Sequence, residues 1–174
     1  MEVRTVLLSS RGAEREPAAE LLLYLADRYQ HLKEVIEPAL KRGTTVLCDR
    51  YHDATLVYQG LARGLGVEWI EELASPLQLL TPDLTLVLDL EVPDALVRAR
   101  VRNDATGDAL GRFEGEAVSF HERVQAGYRQ LAGRYPDRIL LIDARGDPEQ
   151  VTRRLTEVLA SRGVLPRTAP GGKG

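Results

Sequence analysis

Asp49-Arg50-Tyr51 closes a short apolar run, and a carboxylate beside a guanidinium at such a point has the chemistry of a phosphate site. The carboxylate can hold Mg2+ or its waters, and the arginine can grip phosphate oxygens through two parallel bonds. The same aspartate could equally cap a following helix. Tyr58 and Gln59 follow within the next turns. A second arginine stands where charge is costly. On a helical wheel, Leu21, Leu25, Leu32, Val35 and Ile36 share one arc, and Gln30, Lys33, Glu34 and Glu37 lie opposite. Arg28 falls inside the apolar arc, with Tyr24 one turn earlier. An inward arginine needs an anion or several acceptors. A structural ion pair, or a side chain reaching the helix edge, would meet that need. So would a cavity in which Tyr24 stacks on a base and Arg28 bonds to a ligand. A third set is Arg98, Arg100 and Arg102, then Arg112 beyond the loop at residues 103–111. It suits either a solvated helix face or a lid that closes over phosphates.

These residues need a scaffold, and the sequence outlines one. Apolar runs at 44–49 (TTVLCD), 84–89 (LTLVLD) and 138–143 (RILLID) each end in an aspartate. Continuous rather than alternating apolar character predicts strands covered on both faces. Helical patterns occupy 15–41, 67–80, 93–102, 116–134 and 147–161. Pro93-Asp94 and Asp147-Pro148 read as helix starts, and Gly43 and Gly163 as stops. Strands alternating with helices predict an α/β fold with a parallel sheet flanked by helices. In such sheets ligands bind beyond the carboxyl ends of strands, where Asp49 lies.

The 174 residues suit one domain, placed at 1–163, with 164–174 as a disordered tail. Net charge is −3 and basic runs are absent, which argues against a nucleic-acid polymer as partner. A single cysteine, Cys48, excludes an internal disulfide framework and a multi-cysteine zinc site. No apolar stretch has the roughly 20 residues of a membrane span, so no membrane partner is expected. The lysines are few: Lys33, Lys41 and Lys173.

In order and spacing, residues 3–159 resemble thymidylate kinases, of the nucleoside-monophosphate kinase group of P-loop kinases. The stretch 22–30 (LLYLADRYQ) is similar to that family's base-binding helix, which implies that Tyr24 stacks on thymine and Arg28 bonds to it. Asp49-Arg50-Tyr51, continued by Ala54, Thr55, Tyr58, Gln59 and Gly60, resembles the family's Asp-Arg-Tyr segment. The likeness implies that Arg50 holds the substrate phosphate, Asp49 belongs to the magnesium region, and Tyr58 lies against the sugar. Arg112-Phe113-Glu114 and the stretch 120–124 (FHERV), then Gly127-Tyr128, resemble the end of the lid and the next helix. Asp143-Ala144, with Arg145, resembles the strand end whose loop meets adenine. The implied reaction is ATP + dTMP giving ADP + dTDP with Mg2+, in a cytoplasmic homodimer. The catalytic set is Asp49, Arg50, Arg102 and Arg112. Tyr24, Arg28, Arg50, Tyr58 and Gln59 bind substrate, Arg112, Ala144 and Arg145 meet ATP, and Asp49 meets the metal.

The pattern departs from the family at its start. No Gly-x-x-x-x-Gly-Lys-[Ser/Thr] run is present, and the lysines sit elsewhere. The expectation is therefore a P-loop kinase fold lacking its first two strands, N-terminally incomplete, with impaired transfer. Gly111 stands where an aspartate often precedes the lid arginine, and Arg145 replaces the usual small polar residue. Two other readings stay open, a non-catalytic dTMP-binding module and a deoxynucleoside kinase.

Overall fold

A computed structural model describes residues 15–106 and 116–165. Pro17 opens α1 (Pro17–His31), where its missing N–H costs nothing. A π-helical turn (Leu32–Ile36) and α2 (Glu37–Lys41) continue the same rod, which ends at Gly43 in the left-handed region. The wider i→i+5 turn changes the phase of the apolar stripe. Leu32 and Ile36 stay buried, whereas Val35, assigned to the stripe by the wheel, is exposed.

Next come α3 (His52–Thr55) and a second π-helical turn (Leu56–Ala62), then α4 (Val67–Ala74) and a 3-10 turn (Ser75–Leu77). Strand β1 (Thr85–Asp89) leads through α5 (Val92–Thr106) and α6 (Val118–Arg134) to β2 (Ile139–Asp143) and α7 (Pro148–Ser161). The two strands pair in parallel, Thr85 against Ile139 through Asp89 against Asp143. Asp147 and Gln150 form a reciprocal capping box at the start of α7, as Asp147-Pro148 foretells.

The three-strand expectation needs correction. Residues 44–48 join no sheet among the described residues, and Leu47 is fully exposed. An apolar run reports a wish for burial, but a strand also needs a neighbour for its N–H and C=O groups. Beside 44–48 the described residues supply none.

The core lies between α1, the 52–62 segment, α4, α6 and β2, and is built on Leu21, Leu25, Val57, Ile70, Phe120, Leu131 and Ile139. Gly127 lets α6 approach the second π-helical turn. A Cβ there would stand 3.0 Å from a Leu61 methyl and 3.1 Å from a Val57 methyl. Arg123 of α6 donates to the Ala62 carbonyl at 3.0 Å, satisfying an acceptor at the end of that turn. No helix among the described residues is long and apolar enough to cross a membrane.

Candidate functional site

Arg28, in the last turn of α1, reaches across to the segment that follows Asp49. Its Nη2 donates to the Thr55 hydroxyl at 2.8 Å and its Nη1 to the Arg50 carbonyl at 3.4 Å. Its guanidinium lies over the Tyr51 ring, 5.0 Å from the centroid. Burial lowers its pKa from the ordinary value, against the raising influence of Tyr51, Cys48 and two aspartates. The third donor, Nε, is buried without a hydrogen-bond partner among the described residues. A buried orphan N–H is costly, and a ligand acceptor is one way to satisfy it.

Arg50 has φ +61°, in the left-handed region. For a side chain larger than glycine this conformation costs roughly 1–3 kcal/mol, and such strain concentrates at functional sites. The strained turn aims its guanidinium over Tyr58, 5.0 Å from the ring centroid. Tyr58 in turn meets Phe120 and Tyr128 edge-on, with centroids 6.0 and 6.4 Å away. Two aromatic side chains of α6 therefore set the attitude of the ring beneath Arg50. Burial, and then Tyr58, push the Tyr128 hydroxyl well above the usual tyrosine range, so it stays protonated. Asp49 is exposed and makes no ion pair with any described residue.

The other predicted residues are distributed as follows. Tyr24 is half-buried on α1, one turn before Arg28. Gln59 is buried, and its amide donates to Glu20 at 3.3 Å. Arg102 is exposed near the end of α5. Arg112 lies outside the described residues. The Ala144 N–H donates to the Asp89 carbonyl at 2.9 Å, extending the ladder past β2. Arg145 is exposed and forks its own neighbour Asp143, whose carboxyl it holds far below the usual carboxylate range. Among the described residues, no hydrogen bond or ion pair joins Ala144 or Arg145 to the Arg28–Arg50 cluster.

Residues to which the sequence assigned no such part complete the frame. Arg98 belongs to the third arginine set, yet its fork donates to the carbonyls of Ala144 and Gly146 at 2.8 and 2.9 Å. Arg154 donates from Nη1 alone to the carbonyls of Asp143 and Arg145, at 2.8 and 2.6 Å. The loop after β2 is thus clamped from two helices. Thr55, within the quoted Asp-Arg-Tyr continuation, is the acceptor for Arg28. Among the described residues no three His, Cys, Asp or Glu side chains converge into a metal site.

Comparison with known proteins agrees in one direction. The thymidylate kinase family model matches residues 2–155. A thymidylate kinase of Solidesulfovibrio magneticus is 48% identical over 160 residues, 90% of this chain and 77% of the relative. One from Trichlorobacter lovleyi is 45% identical over 167 residues, 95% of this chain and 79% of its own. A third, from Desulfovibrio desulfuricans, is 49% identical over 152 residues, covering 86% and 70%.

Proposed function

The chain belongs to the thymidylate kinase family, and from that premise we propose how its residues serve the reaction, transfer of the ATP γ-phosphate to dTMP to give ADP and dTDP. The observation that carries the reading is the convergence of Arg28, Arg50 and Tyr58 on one region, with Arg28 bonded to the backbone of Arg50. Arg50, held in its strained turn, grips the dTMP phosphate with its planar fork. Arg28 Nε, a donor without a partner among the described residues, bonds to an acceptor on thymine, while Tyr24 stacks on the base. Tyr58, braced by Phe120 and Tyr128, lies against the deoxyribose. Gln59 holds the α1 side of the pocket through Glu20.

Phosphoryl transfer depends on positioning and on charge stabilisation as the γ-phosphoryl moves. Arg102 and Arg112 supply positive charge near the transferring group, and Arg112, Ala144 and Arg145 meet ATP. Magnesium characteristically binds through one or two carboxylates together with substrate phosphates. Asp49, exposed and without an ion pair among the described residues, fits that mode. The ion, when bound, neutralises charge between the phosphates. The assembly we infer is a cytoplasmic homodimer without a membrane or nucleic-acid polymer as partner.

Calorimetric titration of the chain with dTMP tests the reading. Arg50→Ala removes charge-assisted bonds worth about 1.5–3 kcal/mol each, so dTMP binding should weaken at least about tenfold. ATP binding should change far less. Equal losses for the two nucleotides would contradict the assignment of Arg50 to the monophosphate.

A further inference from the structure

We propose that Asp53 is a positioning residue for phosphate recognition, fixing the start of α3 and through it the turn that aims Arg50. The inference rests on the assignment of Arg50 to the phosphate. Asp53 is only 5% exposed, yet its carboxylate is fully engaged. It accepts from both terminal nitrogens of Arg138, at 2.6 and 2.8 Å, and from the Thr85 hydroxyl at 2.8 Å. Thr85 is the first residue of β1, and Arg138 immediately precedes β2. The two are themselves joined by the Thr85 N–H donating to the Arg138 carbonyl at 2.8 Å. One carboxylate therefore ties α3 to both strands at the amino end of the sheet. A planar fork on a carboxylate fixes direction as well as distance.

The connection to Arg50 is short. Asp53 is the second residue of α3, and the Ala54 N–H donating to the Tyr51 carbonyl at 3.1 Å closes the first turn. Arg50 enters that turn directly from φ +61°. A strained backbone persists only where its surroundings over-determine it. On the upstream side the Arg50 carbonyl accepts from Arg28 at 3.4 Å and from the Cys48 thiol at 3.9 Å, and both bonds are long. The stiff restraint lies downstream, where Asp53 locks the helix start to the sheet. Asp53 makes no contact with the Arg50 guanidinium, so it acts through the backbone of the turn.

A stabilising ion pair alone would give the same geometry, so the test must read phosphate recognition. Asp53→Asn keeps the shape and one acceptor but loses the charge and the paired geometry. The full chain, its Asp53→Asn variant and a milder Thr85→Val variant are titrated with dTMP and with thymidine, well below each melting temperature. For Asp53→Asn the expected loss is roughly tenfold for dTMP and less than about twofold for thymidine. Thr85→Val, which keeps the ion pair, should show the same selective loss at about threefold. A lowered melting temperature with the wild-type ratio of dTMP to thymidine affinity in both variants overturns the proposal. If Asp53→Asn does not fold, an unchanged ratio in Thr85→Val overturns it equally. A wild-type chain with no preference for dTMP over thymidine instead fails the assignment of Arg50, and this inference falls with it.

Discussion

Mild acid should loosen this protein through one histidine. His52 is the first residue of α3, half-buried, with its Nδ1 enclosed and unpartnered among the described residues. Burial, and then the Arg28 guanidinium, lower its pKa from 6.5 to about 4, so it stays neutral in the folded chain. In the unfolded chain it takes up a proton near its ordinary value. Between those two values the unfolded state binds more protons, and stability falls as the pH falls. One pH unit in that window is worth about 1.4 kcal/mol, so the loss is on the order of 2 kcal/mol by pH 5 and about 3 kcal/mol at its limit. Urea unfolding of the wild type and of His52→Gln at pH 7.5 and pH 5.0 reads the term directly. Groups common to both proteins cancel, and the wild type should lose about 2 kcal/mol more than the variant, a difference of several degrees in Tm. Identical pH dependence in the two proteins would refute the reasoning.

Arg50→Gly should relax the left-handed turn and raise stability by about 1 kcal/mol while dTMP binding collapses, a trade visible in paired melting and titration experiments. Arg28→Ala should reduce the preference for thymine over other pyrimidines in competition binding; an unchanged preference would assign Arg28 to structure alone. Gly127→Val places atoms against Leu61 and Val57, where even a Cβ has only 3.0 Å of room, and should cost about 1–3 kcal/mol in chemical denaturation.

The sheet strands and most helices were legible because each carries its own periodic signal. The runs ending in Asp89 and Asp143 became β1 and β2, and α7 begins behind the Asp147 cap the sequence announces. The run at 44–49 sends the same apolar signal without becoming a strand, since pairing is a property of neighbours and not of the run itself. Segment 52–62 was hard to read as helix for the opposite reason. Leu56, Val57, Gln59, Gly60 and Ala62 are all buried, so no polar face marks a period, and the π-helical turn blurs what remains. Arg28 was legible as an oddity, a charge inside an apolar arc. Its Thr55 partner was not singled out, because the two residues meet only when α1 packs beside α3. The Asp53–Arg138 pair joins residues 85 apart, a distance no local pattern spans. Arg98 carries a further lesson: its cluster suited a solvated helix face or a lid, and the fold instead turns its fork toward two backbone carbonyls.

The most direct examination of the monophosphate site is a crystal structure of this chain with dTMP. The account predicts the phosphate on the Arg50 guanidinium, the thymine within hydrogen-bonding reach of Arg28 Nε, and the sugar against Tyr58. Nucleotide seated instead at the loop after β2, with Arg28 and Arg50 untouched, would contradict it.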